Sequence, residues 1–202
     1  MPENPIEFLG RFRTRKRKKQ MDVSSYVDKI VKAKANAGGN VIRDGEYTVA
    51  VRKLLIEPSV KGSEVWFKAE FYVIESAAVT VDANMLKPGE AVPTPNPANS
   101  DAVFITDIGK QTGQGNAKAL LCALLGKAEA EADVNPTWFA NEIKKAVGND
   151  QPYTGRPVRV ATFRKPIKGG PNAGKPFTGY NWRPYATTAE EIAELRALLS
   201  KK

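Results

Sequence analysis

The chain has 202 residues, 42% of them apolar, and a formal net charge of +9, enough for a buried core and basic enough to favour polyanionic partners. One cysteine and no histidine exclude an internal disulfide, the usual zinc ligand sets and every Ser-His or Cys-His nucleophile, so neither enzyme, metal nor cofactor is expected. No apolar run approaches the roughly 18 residues of a membrane span. MPENPIEFLG has no apolar signal core, so a cytoplasmic protein is expected, in the host cytoplasm if the source is viral.

The charge is unevenly spread. Residues 1–40 carry ten Lys/Arg against four acids, 41–150 eleven against fifteen, and 151–185 seven against none. Two basic blocks around an acidic middle point to a polyanion. The first contains RFRTRKRKK at 11–19, expected to be a mobile arm. VDKIVKAKANA beyond it is expected to form a short helix ended by Gly38-Gly39. Residues 1–40 are thus read as arm and helix, 41–186 as the main domain, and 187–202 as a terminal helix.

GEYTVAVRKLLI at 45–56 alternates Tyr47, Val49 and Val51 with Thr48, Ala50 and Arg52, the period of a half-buried strand. EVWFKAEFYVIES follows the turn that contains Lys61. It puts Phe67, Ala69, Phe71 and Val73 on a core face, with Trp66, Lys68, Glu70 and Tyr72 opposite. Residues 82–101, with four prolines, read as a long loop before a third strand, AVFITDI. Next come the glycine-containing KQTGQGN, read as a loop, and a helix with the stripe Ala117, Leu120, Leu121, Leu124, Leu125. Cys122 among those leucines is expected to be a small buried hydrophobe. A second helix is expected to be capped by Asn135, to begin at Pro136 and to stop at Gly148.

GRPVRVATFRK then places Val158, Val160 and Thr162 opposite Arg159, Phe163 and Lys165, a fourth strand, and KPFTGYNWRPY a fifth. In the last, Tyr180 and Trp182 lie on one face and Phe177, Asn181 and Arg183 on the other, and the pattern alone does not say which is outward. Thr188 and Glu191 form the capping box of a terminal helix with Ile192, Leu195, Leu198 and Leu199 as its apolar side.

Between the last two strands, GGPNAGK at 169–175 is one residue removed from a phosphate-cradling loop. Pro176 stands where the magnesium-binding hydroxyl would be, and a strand follows instead of a helix, so a triphosphate site is not expected. GQGNAK at 113–118 lacks the third glycine and the βαβ setting of a dinucleotide site. Asp101 and Asp107 have no diagnostic metal spacing.

Three strands, helices and two further strands are the order of a mainly β, five-stranded oligonucleotide-binding (OB) fold barrel with helices between strands 3 and 4. Single strands offer unpaired bases that stack on aromatic side chains while a basic groove follows the backbone. The candidate contacts are Arg52, Lys61, Trp66, Lys68, Tyr72, Arg159, Phe163, Arg164, Lys165, Lys168, Lys175, Tyr180, Trp182 and Arg183.

GEYTVAV at 45–51, FKAEFYVIES at 67–76, the PG of 88–89, GRPVRV at 155–160 and GKPFTGYNWRP at 174–184 resemble, in order and spacing, phage-encoded single-stranded DNA-binding proteins with this barrel. The resemblance spans about residues 43–185. It implies a protein that coats transient single strands without base specificity during replication or recombination, with single-stranded DNA and other replication proteins as partners. Two features depart from the pattern: the chain ends in LLSKK rather than an acidic tail, and the basic arm is extra. The other reading of the same charges is a viral structural or DNA-packaging protein whose arm touches nucleic acid.

Overall fold

The computed structural model describes residues 41–59, 64–86 and 89–201. The arm, the helix expected before Gly38-Gly39, and Lys61 lie outside them.

Five strands, β1 (Glu46–Pro58), β2 (Val65–Ala77), β3 (Asp101–Asp107), β4 (Pro157–Pro166) and β5 (Pro176–Pro184), form one antiparallel sheet in the order β3-β2-β1-β4-β5. The sheet is open. No ladder joins β3 to β5, so the closed form of the expected barrel is absent. The sheet is nevertheless curled, because the Phe104 ring on β3 meets those of Tyr180 and Trp182 on β5, with centroids 4.9 and 5.2 Å apart. Part of the curl originates in β1, whose ladder to β2 shifts register between Thr48 and Val49 and again between Val51 and Lys53. Each irregularity bends the strand and increases its twist.

The alternation in the sequence predicts the inner face well. Tyr47, Val49, Val51, Phe67, Ala69, Phe71, Val73, Val158 and Val160 are all buried in one core, which Ala102 and Phe104 of β3 join. Helix α1 (Gln111–Leu125) covers that core from the side of the two edge strands, packing against both β5 and β3. Its Leu120, Leu121 and Leu124 are buried, as is Cys122, whose thiol burial pushes towards higher pKa.

Helix α1 begins earlier than expected, and GQGN lies inside it rather than in a loop. Packing explains the difference. A Cβ on Gly113 would sit 2.6 Å from the Asp107 carbonyl carbon and 2.9 Å from Thr106 Oγ1, so glycine is what lets the first turn touch the end of β3.

A short helix, α2 (Glu129–Val134), has no counterpart in the sequence reading, because it is too brief to show an apolar stripe. Helix α3 (Pro136–Ala146) starts as expected, with the Trp138 N–H donating to Asn135 Oδ1 at 3.1 Å.

Helix α4 (Ala189–Ser200) carries the expected capping box, the Glu191 N–H donating to Thr188 Oγ1 and the Thr188 N–H to Glu191 Oε2. It docks on its own domain. Arg196 Nε and Nη2 donate to the Thr154 and Pro152 carbonyls, both at 2.6 Å, and Gly155, at φ +80°, leaves room for the side chain. Only Leu199 of its apolar side is buried. Among the described residues no helix is long and apolar enough to cross a membrane.

Candidate nucleic-acid interface

Register divides the outer face of the sheet into two halves with different electrostatics. On the β2–β3 half, charges are matched within the protein. Lys68 Nζ lies 2.6 Å from Glu70 Oε1, and Arg52, the extra residue at a bulge of β1, is 2.6 Å from Asp101 Oδ1. Trp66 is half-buried, with the acidic residues Glu57 and Asp107 as its cross-strand neighbours. Tyr72 is buried and its hydroxyl donates to Asn99 Oδ1 at 2.6 Å. These four expected contacts therefore share a face, but one without surplus positive charge.

The β4–β5 half is different. Arg159, Phe163 and Lys165 point outward, and the ladder pairs them with Arg183, Gly179 and Phe177. Two arginines thus stand directly opposite each other. None of Arg159, Lys165, Lys168 and Arg183 has an ion-pair partner among the described residues. Like charges in direct cross-strand register are destabilising, so this arrangement is costly unless an anion sits on it.

Aromatic rings lie among those cations. The Arg159 guanidinium stands 5.0 Å over the Tyr185 ring, and Lys165 Nζ lies 5.2 Å from the Phe163 centroid and 5.8 Å from that of Phe177. Phe163 is 41% exposed although it is a large apolar residue in mid-strand. A shallow groove of about 390 Å³ lies at the other end of this face, lined by Glu46, Thr48, Glu75, Arg159, Asn181 and Arg183 among others. Glu75 accepts a hydrogen bond from Thr48 Oγ1 at 3.1 Å.

Three expected contacts are directed elsewhere. Arg164 is turned to the other side of β4, where Nε donates to Asp44 Oδ2 at 2.6 Å and Nη1 and Nη2 form a fork with the Glu90 carboxylate at 3.1 and 2.9 Å. Its Nη1 also donates to the Met85 carbonyl at 3.1 Å. The two carboxylates hold the guanidinium in its charged form, and its task is to tie the long 78–100 segment to β4.

Trp182 is 8% exposed and packs on Phe71, Phe104 and Tyr180, so it is a core residue rather than a stacking platform. Its Nε1 is buried without a hydrogen-bond partner. Tyr180 shares that inner face, and burial raises the pKa of its phenol. Of the two faces of β5 left open by the sequence, the outward one carries Phe177, Asn181 and Arg183.

The GGPNAGK segment is a hairpin turn. The Ile167 N–H donates to the Lys175 carbonyl and the Gly174 N–H to that of Ile167, which continues the β4–β5 ladder beyond its Pro166–Pro176 pair. Gly170 and Gly174 adopt φ of +78° and +81°, values that glycine accepts at little cost. Lys168 and Lys175 project from this turn, Lys175 Nζ donating to Asn172 Oδ1 at 2.9 Å.

Phe177, Gly179, Asn181 and Tyr185 were not among the expected contacts. Their signal was the hairpin itself: counting outward from its two flanking prolines pairs Lys165 with Phe177 and Arg159 with Arg183. The chain matches no protein-family model and no curated protein.

Proposed function

We propose that this protein binds single-stranded DNA with little sequence preference, through the outer face of β4–β5 and the turn joining them. The observation that carries the reading is the Arg159–Arg183 pair, two unneutralised cations in direct register, with the half-buried Tyr185 ring beneath the Arg159 guanidinium. A duplex offers phosphates but hides its bases, whereas a single strand offers both to a surface that alternates cations with rings. Arginines can donate to phosphates, and Phe163, Phe177 and Tyr185 supply sequence-tolerant stacking.

The strand order and the helices between β3 and β4 fit an OB-fold barrel left open between β3 and β5. In that architecture the loop joining strands 4 and 5 is a recurrent ligand contact, and here it carries Lys168 and Lys175. The strand 2–3 face, also used by such barrels, is charge-balanced in this chain. Binding is accordingly displaced towards β4–β5. This reading agrees with the resemblance to phage-encoded single-stranded DNA-binding proteins, and with it a part in DNA replication or recombination.

The test is titration of a fluorescently labelled oligo-dT, followed by anisotropy at low salt, with duplex of equal length as competitor. Binding that duplex displaces poorly supports the proposal. No binding, or equal displacement by duplex, overturns it.

A further inference from the structure

We infer that the turn-proximal end of this face holds a base-stacking subsite for two consecutive unpaired nucleobases, made by Phe163, Phe177 and Lys165, and that Gly179 is the residue that positions it. The inference deepens the single-strand reading and rests on it.

The geometry begins with Gly179, which is buried and pairs with Phe163 across the ladder. A Cβ built on Gly179 would meet the far edge of the Phe163 ring, 2.6 Å from Cε2 and 3.0 Å from Cε1. The ring is therefore laid across the β5 backbone in the space that any other residue would fill. One side of the ring rests on the glycine while the residue stays 41% exposed, which leaves apolar ring surface facing solvent in mid-strand.

Phe177 lies two residues from Gly179 on the same outer face, the diagonal neighbour of Phe163, at a separation of about 7–8 Å in such ladders. Lys165, the direct partner of Phe177, holds its ammonium 5.2 and 5.8 Å from the two ring centroids. Two rings with a cation between them match two adjacent bases and the phosphate that links them. Lys165 has no carboxylate partner among the described residues, so its charge is available to that phosphate.

A structural account of the same contact exists, because an aromatic laid over a strand glycine also shields the backbone and stabilises the sheet. The two accounts differ in what they predict for bases. The measurement is anisotropy binding of the full chain to a normal oligo-dT and to an abasic oligonucleotide of equal length. It compares wild type, Gly179→Ala, Phe163→Leu and the double variant, with thermal midpoints recorded alongside.

The subsite predicts that Gly179→Ala and Phe163→Leu each weaken binding to the normal strand by roughly tenfold. It predicts abasic binding within about twofold of wild type, and no further loss in the double variant. Phe163→Leu keeps an apolar cover over Gly179 and so carries the test if Gly179→Ala fails to fold. If folded variants hold the normal strand as tightly as wild type, or lose normal and abasic strands equally, the subsite is wrong while single-strand binding stands. If wild type binds neither strand, the parent reading fails first.

Discussion

Arg159 and Arg183 face each other across the β4–β5 ladder on the outer side of the sheet, and neither meets a carboxylate. Folding alone gains nothing from this opposition. Replacing Arg183 by Ala should therefore leave stability unchanged or raise it by up to about 0.5 kcal/mol. The same substitution should weaken oligonucleotide binding about tenfold through the lost charged contact. Thermal unfolding and anisotropy on one preparation check both halves. A variant that is less stable and binds normally would assign Arg183 to the fold.

Adjacent residues on β4 should separate cleanly. Arg164→Ala leaves Asp44, only 4% exposed, without its partner, and breaking a buried pair from one side costs about 3–5 kcal/mol. Lys165→Ala removes an exposed ammonium and should be nearly silent in stability while reducing affinity. Denaturant melts of the two variants, set beside their binding curves, distinguish the roles. Weakened binding by a fully folded Arg164→Ala protein would return that residue to the interface.

Trp182 gives a spectroscopic prediction. The three tryptophans are Trp66 on β2, Trp138 on α3 and Trp182 in the core, and none lies on the outer face of β4–β5. Saturating oligo-dT should therefore change the intrinsic emission little even where anisotropy reports full binding. Trp182→Ala should destabilise by about 3–5 kcal/mol. Trp182→Phe should cost much less, since it keeps most of the ring and removes a buried donor that has no acceptor.

The strands, two helix caps and the inner face were legible in the sequence because period-2 alternation and N-cap chemistry are local signals. Arg164 was legible too, since it shares the parity of Val158, Val160 and Thr162, yet the excess of positive charge around it suggested a surface role. The partners that hold it, Asp44 and Glu90, are 120 and 74 residues away, and no local pattern announces them. Gly113 was hidden for the same reason, because its purpose is a close approach to the end of β3. The split between a neutral β2–β3 half and a cationic β4–β5 half depends on cross-strand register, which composition does not contain.

The titration behaviour follows from the same contacts. Asp107, Glu131 and Glu142 have carboxyls held below the usual range by hydrogen bonds from Lys110, Lys127 and Lys145, and Glu191 by the Thr188 N–H. Depressed folded-state values mean that this stabilisation is present above about pH 4 and is lost as pH falls through them. Burial raises the phenols of Tyr47, Tyr153 and Tyr180, so their contribution is present below about pH 10 and lost above it. Thermal midpoints against pH should form a plateau between these limits. With no histidine in the chain, oligonucleotide affinity should be flat from about pH 5.5 to 9, and an inflection near neutrality would require a group absent from this face.

The central claim is that the folded β4–β5 face, and not the basic arm alone, holds a single strand. The salt dependence of oligo-dT binding by the full chain, compared with that of an Arg159→Ala/Arg183→Ala double variant, tests it most directly. Each phosphate contact contributes about −0.7 to the slope of log K against log salt on single strands. The double variant should therefore show a slope shallower by roughly 1.4 and bind at least tenfold more weakly at low salt. Identical slopes and affinities for a folded double variant would contradict the account and leave the polyanion to the arm.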